Sequence, residues 1–259
     1  KYQGKSFKKE LIGDYKISEL NSFPDSSIFN QKKEKILYYI HSMWGSVNPY
    51  HKNSLKKLNE LEGINKIISI EWHTEKLFYK GAWEASINQG QRISSILDRL
   101  WRFENKTNFI LCHSMGHRIF EGLIMEIPDS QKKFEKVIFA AADLNIDVFQ
   151  NNLSKLPNIS SKITIYVNEK DRALRISKRK FKHPRLGLNA HENLKNLNTI
   201  PNLEIVNVTP VILKQKLRLV NHTYFKRNQH IKGDIQWIFL DKNKERRISK
   251  IEEKYFSLN

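Results

Sequence analysis

The sequence has little cysteine, few acidic residues and no long apolar run, and each shortage excludes a class of protein. Its single cysteine, Cys112, excludes an intramolecular disulfide framework and any metal site built from several cysteines. A membrane-crossing helix needs roughly 20 consecutive apolar residues, and no run approaches that length. The histidines include no His-Glu-x-x-His pattern. We therefore predict neither a bound metal nor a cofactor.

The shortage of acidic residues leaves a large positive charge. Lys and Arg number 45 against 27 Asp and Glu, which gives a formal net charge of +18. Such a charge favours anionic partners, among them an anionic membrane surface, nucleic acid or an acidic substrate. A chain that is simply rich in Lys and Asn would carry the same charge without any such partner. The charge alone therefore assigns no function, and nucleic acid is the partner we expect least.

The single cysteine also bears on the compartment, since a chain without disulfides favours the cytoplasm. The chain begins at Lys1. An exported form whose signal peptide has been removed therefore stays open.

Apolar runs of strand length alternate with amphipathic patterns of helix length, which is typical of an α/β fold. The runs are continuously apolar, as in strands buried on both faces, so they predict a mostly parallel sheet with helices on both faces. They lie at 36–40, 67–70, 108–112, 137–142, 163–167 and 203–208, and helices are predicted over 53–62, 87–101 and 115–126.

We predict one domain, since the chain shows no repeat, no low-complexity linker and no second core. The domain is predicted over 35–240. A polar lead-in, residues 1–34, precedes it and could supply an edge strand or hairpin. A charged tail, residues 241–259, follows and would pack on the domain or extend from it.

A turn carrying a serine joins one predicted strand to the helix that follows. It has the sequence Cys112-His113-Ser114-Met115-Gly116, close to the G-x-S-x-G pattern of a nucleophile elbow except at its first position. On such an elbow the serine projects from the sheet edge, and the next N–H faces the same reacting atom. Serine is also a favoured helix N-cap. The pentapeptide by itself leaves both roles open.

Other chemically competent side chains follow the ends of later strands. Asp143 and Asp171 each come directly after a strand, and His222 lies beyond the last of the six apolar runs. Ligands of an open parallel sheet bind outside the carboxyl ends of its strands. The order Ser, Asp, His is that of the α/β hydrolases. It predicts a catalytic triad in which the acid is Asp171 or, alternatively, Asp143.

Acyl transfer at such a site also needs donors for the developing oxyanion. The backbone N–H of Met115 would be one donor, and an N–H just after the first apolar strand, from Ser42 or Met43, would be the other.

Several separated segments resemble a bacterial family of α/β hydrolases of unknown function, over roughly residues 35–240. The elbow is close to the family's Ala-His-Ser-Met-Gly-Asn-Arg, and Ala141–Phe149 to its Ala-Pro-Asp-Ile-Asp stretch. The other segments are Tyr38–His41, Ile70–Trp72, Asp171–Ser177, similar to the family's Asp-x-Ala-Leu-x-x-Ser, and Asn221–Phe225 with the late histidine.

The resemblance implies an α/β-hydrolase fold with Ser114, Asp171 and His222 as the triad, and it supplies no substrate. The family's His-Gly pair after the first strand is His41-Ser42 here. Without glycine's conformational freedom, we expect strain or a changed shape at this oxyanion turn.

The remaining candidates are aromatic residues around the elbow. His113 and His117 flank the serine and would line or support the pocket, and His41 and Trp72 are further pocket candidates. Structural hydrogen bonding and core packing are the alternative roles of these residues. The basic run 177–185 is expected to be a solvated surface helix, although it could also form a rim that attracts anions.

These observations favour a serine hydrolase that cleaves a small-molecule or lipid ester, as a carboxylesterase or lipase does. Thioesterases and amidases would use the same residues. Two other classes stay open. One is a catalytically degenerate binding protein that lost its oxyanion hole at Ser42. The other is a basic protein that binds nucleic acid or an anionic membrane.

Overall fold

The computed structural model describes residues 6–12, 15–21, 34–43, 49–72, 82–83, 86, 88–94, 106–126, 134–194, 200, 202–214 and 221–259. Side chains are described from residue 34 onward within those ranges, except at residues 49–51 and 153.

Ten strands are described. They are β1 (Ser6–Ile12), β2 (Tyr15–Asn21), β3 (Glu34–Ile40), β4 (Lys66–Glu71), β5 (Lys106–His113), β6 (Phe134–Ala140), β7 (Ser160–Val167), β8 (Leu203–Asn207), β9 (Ile248–Glu252) and β10 (Tyr255–Leu258).

The described α-helices are α1 (Pro49–Leu58), α2 (Gly116–Glu126), α3 (Ile146–Asn151), α4 (Leu156–Ile159), α5 (Arg172–Phe181), α6 (Leu186–Asn193), α7 (Thr209–Lys214), α8 (Tyr224–Arg227) and α9 (Gln229–Phe239). Short 3-10 turns lie at Leu153–Lys155, Asn221–Thr223 and Asn243–Glu245. Residues 88–94 of the helix predicted over 87–101 are helical, and residues 95–101 lie outside the described part.

The strands form one sheet in the order β1-β2-β4-β3-β5-β6-β7-β8-β10-β9. From β4 to β10 every neighbouring pair is parallel. Antiparallel pairing is confined to the two edges, where β1 pairs with β2, β2 with β4, and β9 with β10. The prediction of a mostly parallel sheet is confirmed, and the carboxyl ends of β3, β5, β6 and β7 meet along one edge.

The sheet is buried on both faces, as its continuously apolar strands predict. Because successive side chains of a strand point to opposite faces, Tyr38 of β3 belongs to one core and Tyr39 to the other. The first core also contains Phe120 of α2, and the second contains Leu174 of α5 and Ile235 of α9. Helices therefore cover both faces.

The two ends of the chain form the two edges of the sheet. The lead-in supplies the β1–β2 hairpin, and the tail 241–259 supplies β9 and β10. The sequence pattern gave no sign of β9, because its side chains are partly or fully exposed and largely polar. The division into domains itself stays a prediction.

Candidate active site

Ser114 lies in a sharp turn between β5, which ends at His113, and α2, which begins at Gly116. Its φ is +55°, a left-handed conformation that non-glycine residues adopt rarely and that marks a constrained site. The turn packs closely against the end of β3. A Cβ on Gly116 would lie 2.7 Å from the carbonyl oxygen of Ile40 and 2.8 Å from that of His41, so glycine is required there.

Backbone hydrogen bonds fix the Ser114 peptide on both sides. Its N–H donates to the Ala140 carbonyl at 3.1 Å, and its carbonyl accepts from the N–H of Asp143 at 3.2 Å and from that of His117 at 3.3 Å. The Ser114 side chain, by contrast, forms no hydrogen bond within the part of the chain that the structure describes. It therefore does not cap α2, and it forms no hydrogen bond with the His222 imidazole in this structure. Such nucleophile–base bonds are often long in unliganded enzymes.

Asp171 and His222 are brought together, although 50 residues separate them in the chain. His222 Nδ1 lies 2.8 Å from Asp171 Oδ2. The carboxylate is fully buried, and its other oxygen accepts from the Leu174 N–H at 3.1 Å, so Asp171 is also the N-cap of α5. In addition, Asn168 Nδ2 donates to the Asn221 carbonyl at 3.2 Å. This bond ties the segment of His222 to the loop of Asp171.

The carboxylates around His222 favour its charged form. Burial lowers the pKa of the imidazole, but the charge of Asp171, its hydrogen bond and the more distant charge of Asp143 outweigh burial, so the pKa is raised above its ordinary value. The hydrogen bond to Asp171 also fixes the tautomer of neutral His222, leaving Nε2 available to accept a proton.

His113 supports the backbone of His222. Its Nε2 lies 3.0 Å from the His222 carbonyl, and a carbonyl can only accept, so this nitrogen carries the proton. Burial, followed by the nearby His222, lowers the pKa of His113 well below its usual range, so the ring is neutral. His113 thus holds His222 beside the Ser114 turn, and the rings of His113 and His222 lie 5.0 Å apart.

His117 supports the turn from beneath. Its Nδ1–H donates to the Ser114 carbonyl at 2.6 Å, and burial lowers its pKa to about 3. Its Nε2 is buried without a partner among the described residues. Both flanking histidines are therefore neutral hydrogen-bonding groups.

Residues 41–43, after β3, form a turn whose two peptides are held by side chains of His41 and Trp72. The Trp72 indole N–H donates to the His41 carbonyl at 2.9 Å, and His41 Nδ1–H donates to the Ser42 carbonyl at 2.6 Å. The Trp72 backbone N–H in turn donates to His41 Nε2 at 3.3 Å. His41 and Trp72 thus brace this turn.

The hydrogen bonds to the His41 and Ser42 carbonyls also fix the direction of the N–H groups in the same two peptides. In a trans peptide the N–H points away from the carbonyl, so holding the carbonyls of His41 and Ser42 orients the N–H groups of Ser42 and Met43. These two N–H groups and that of Met115 donate to no group among the residues that the structure describes. Ser42 does not adopt a positive φ. The strain expected from the loss of glycine is therefore absent.

Asp143 lies under the Ser114 turn and has partners of its own. Its Oδ1 accepts from Ser177 Oγ at 2.7 Å and lies 3.4 Å from Arg185 Nε. Burial raises its pKa, while Arg185 and Ser177 oppose that rise. The structure places the His222 Nδ1 hydrogen bond on Asp171.

Arg185 was not singled out by the sequence, because it is one cation among many in a basic run. Its side chain is fully buried, and its guanidinium carbon lies 4.7 Å from the centre of the Trp83 ring and 5.1 Å from that of Phe181. Arg118 contacts the same Trp83 ring at 3.7 Å. These aromatic contacts and the Asp143 carboxylate stabilise the buried cation.

Within the described ranges, no group of three or more His, Cys, Asp or Glu residues could hold a metal ion. Within the same ranges, every helix is too short or too polar to cross a bilayer.

Solved structures with similarity to this chain share little sequence identity with it. A protein described as a predicted CIB-like hydrolase from Thermoplasma acidophilum has a TM-score of 0.51 and 14% identity, over 92% of this chain and 100% of that one. Est1E from Butyrivibrio proteoclasticus has a TM-score of 0.46 and 12% identity, over 78% and 88% of the two chains. A thermostable esterase from Pseudomonas putida has a TM-score of 0.43 and 11% identity, over 72% and 70%.

No curated protein sequence matches this chain. The model of one protein family does, over residues 28–240, and that family is described as alpha/beta hydrolase of unknown function (DUF900). The match covers most of the parallel sheet together with Ser114, Asp171 and His222. The chain therefore belongs to this family of α/β hydrolases.

Proposed function

We propose that this hydrolase is a serine esterase that cleaves a carboxylic ester through an acyl-enzyme formed on Ser114. The observation that carries the proposal is the 2.8 Å hydrogen bond between buried Asp171 and His222, with His222 held beside the Ser114 turn by His113. An oriented imidazole next to a serine on a strained strand-to-helix turn suits nucleophilic catalysis.

In the proposed mechanism His222 Nε2 takes the proton of the Ser114 hydroxyl as the oxygen attacks the ester carbonyl. Asp171 holds the imidazole in the required tautomer and stabilises the imidazolium that forms. His222 then gives the proton to the departing alcohol. In the second half, water attacks the acyl-enzyme by the same steps, releasing the acid and restoring Ser114.

The developing oxyanion would be bound by the Met115 N–H and by the N–H of Ser42 or Met43. Donors fixed in advance are worth about 2.7–4 kcal/mol each in such a site. The bonds from His41 and Trp72 to the carbonyls of this turn provide that rigidity. Ser42 has no positive φ, so serine in place of the family's glycine introduces no left-handed strain into this turn.

The test is hydrolysis of p-nitrophenyl esters from acetate to palmitate by the wild type and Ser114→Ala. We expect the variant to lose activity on the order of 10⁶-fold, down to background. Ser154→Ala is the matched control, because Ser154 is exposed and lies in the short turn before β7, whereas Asp171 follows the other end of that strand. Equal hydrolysis by wild type and Ser114→Ala would overturn the proposal.

A fluorophosphonate probe separates an esterase from a degenerate binding protein. The probe reacts with an activated serine, so we expect the wild type and Ser154→Ala to be labelled and Ser114→Ala to stay unlabelled. An unlabelled wild type, folded by circular dichroism, would favour the binding protein instead.

A further inference from the structure

A second concave site, which we call the basic cleft, lies between α5, α6 and the loop before Asp171. Its volume is about 660 Å³, which is within the range of small-molecule sites. Its lining residues are Glu169, Lys170, Arg175, Lys178, Arg179, Lys182, His183, Pro184, Leu188, Asn189 and Glu192.

The cations of the cleft follow one face of α5. Lys178, Arg179 and Lys182 come three, four and seven residues after Arg175, so they lie on the same side of the helix and at its end. Lys170 adds a fifth cation from the preceding loop. Like charges at these spacings repel each other and destabilise a helix. An anion bound among these cations would relieve that repulsion.

The described part of the chain supplies no such anion. None of the five cations forms an ion pair or a side-chain hydrogen bond there, whereas other basic residues do, such as Lys136 with Asp241 at 2.7 Å and Arg246 with Asp234 at 2.7 Å. All five side chains of the cleft are exposed. They are therefore available to a ligand.

The two carboxylates of the cleft already accept hydrogen bonds from asparagine side chains. Glu169 accepts from Asn207 Nδ2 at 2.9 Å, toward β8. Glu192 accepts from Asn189 Nδ2 at 2.6 Å. The cations outnumber these carboxylates five to two, so the cleft keeps a net positive charge.

Shape and charge together limit the occupant. A nucleic acid backbone presents a continuous row of phosphates, and Glu169 and Glu192 would repel part of any such row laid through the cleft. A compact group with several anionic oxygens avoids them. Arginine binds phosphoryl oxygens in pairs, and lysine adds point charges, so a doubly charged phosphoryl group matches this lining better than a single carboxylate.

We propose that the basic cleft binds the phosphoryl group of a small molecule or of a lipid headgroup. The site is separate from Ser114 chemistry and does not depend on the esterase assignment. Its loop continues directly into Asp171, so both sites lie at the carboxyl end of β7.

The proposal is tested with Arg175→Gln/Lys178→Gln/Lys182→Gln. Its matched control is Lys242→Gln/Lys244→Gln/Arg247→Gln, which removes the same charges from exposed positions near the C-terminus. Calorimetric titration with inorganic phosphate and pyrophosphate is expected to show one saturable site in the wild type and the control. We expect affinity at least about tenfold weaker in the cleft variant, a difference of about 1.4 kcal/mol.

Vesicle flotation distinguishes the two sources of phosphate. Tighter binding to phosphatidylcholine vesicles containing phosphatidic acid than to pyrophosphate would assign a lipid headgroup, and tighter binding to pyrophosphate would assign a soluble phosphate compound. The proposal is overturned if neither probe binds saturably, if both triple variants weaken equally, or if only DNA or RNA binds and pyrophosphate does not compete. Circular dichroism of both variants confirms that they are folded.

Discussion

Three histidines around Ser114 differ only in what surrounds them. His113 and His117 are buried without an acidic partner, and burial lowers their pKa values. His222 is buried too, but it contacts Asp171, and its pKa is raised. All three imidazoles can in principle transfer a proton. Only His222 has a neighbouring carboxylate that keeps its pKa in the range where it can do so at neutral pH.

Asp171→Asn tests the acid directly. The amide would present the wrong hydrogen-bonding group to His222, and we expect kcat for ester hydrolysis to fall roughly 10⁴-fold while the fold persists. The assay is steady-state hydrolysis at neutral pH.

The variant for comparison is Asp143→Asn. We expect kcat of this folded variant to fall far less than kcat of Asp171→Asn. Its main effect should be on stability, because buried Arg185 would lose its charge partner, at a cost of about 3–5 kcal/mol. A larger loss of kcat in Asp143→Asn than in Asp171→Asn would make Asp143 the acid.

The pKa of His222 predicts the acid side of the pH–activity profile. In the proposed mechanism His222 must be neutral to accept the Ser114 proton, and its pKa is raised above the ordinary 6.5. We therefore expect kcat/KM of the wild type to rise with pH through a midpoint above 6.5. In Asp171→Asn the midpoint of the residual activity should move down, because the charge that raises it is gone. A wild-type midpoint below 6.5 would contradict this.

The flanking histidines predict how stability depends on pH. Their folded pKa values are lowered, that of His117 to about 3, so below pH 6.5 the unfolded chain binds protons that the folded one does not. Stability should fall by about 1.4 kcal/mol per pH unit for each histidine. His222 has the opposite sign: its stabilising contribution is complete below pH 6.5 and is lost as pH rises through its raised pKa.

Urea unfolding between pH 6.5 and pH 5 measures that slope. His117→Asn should reduce it by about 1.4 kcal/mol per pH unit, whatever its effect on stability at pH 8. An unchanged slope in this variant would show that His117 is protonated in the folded state.

At the scale of elements, the site depends on where strands end and helices begin. Ser114 lies between β5 and α2, and Asp171 lies just before α5 as its N-cap. The β5–α2 turn is pressed against the end of β3, next to the turn that would bind the oxyanion. Parallel pairing of these strands is what brings their ends together.

Comparison of Gly116→Ala with Gly233→Ala should distinguish the effect of close packing from the effect of helix propensity. The added methyl group would lie under 3.0 Å from two backbone carbonyls, so the turn or the end of β3 must move, and we expect loss of both stability and esterase activity. Gly233→Ala in α9 is the control, since its methyl group would meet nothing closer than 3.9 Å.

Alanine also suits a helix interior better than glycine does. Gly233→Ala should therefore stabilise the protein by about 0.5–1 kcal/mol and leave activity unchanged. Thermal unfolding and the ester assay measure both effects. Equal stability and activity of Gly116→Ala and Gly233→Ala would show that the β5–α2 turn tolerates the added methyl group.

At the scale of the whole molecule, a buried ionic network ties the C-terminal strands to the sheet. Arg246 donates to both oxygens of Asp234 in α9 and to both oxygens of Glu204 in β8. Tyr166 of β7 donates to the same Asp234 at 2.5 Å. The segment that leads into β9 and β10 is therefore bound to two earlier elements.

Arg246→Ala should destabilise the protein by about 3–5 kcal/mol, because it leaves Asp234 buried without its charge partner. The neighbouring Arg247→Ala is the control, and its exposed side chain predicts a change within about 0.5 kcal/mol. Urea unfolding at neutral pH is the measurement. Equal stability of the two variants would show that the network contributes little to the fold.

The sequence by itself determined the fold class and the positions of six strands. Continuous apolar runs must be buried on both faces, so they specify a parallel sheet whatever the details of packing. The order of Ser114, an aspartate and His222 can be read from the same pattern, because Ser114 and both aspartates follow strand ends and His222 comes later in the chain. Exposed strands such as β9 were missed, since without burial there is no apolar signal.

Only the tertiary structure shows which of the two aspartates contacts His222. β6 and β7 are neighbours in the sheet, so Asp143 and Asp171 both follow strand ends at the same edge, and spacing along the chain cannot separate them. The hydrogen bond of Asp171 to His222 and the contact of Asp143 with Arg185 do. The turn at Ser42 likewise depends on two contacts of His41. One is with the Ser42 carbonyl, and the other is with Trp72, which lies 31 positions from His41 in the chain. Such roles depend on distances between segments remote in sequence, which only the folded chain specifies.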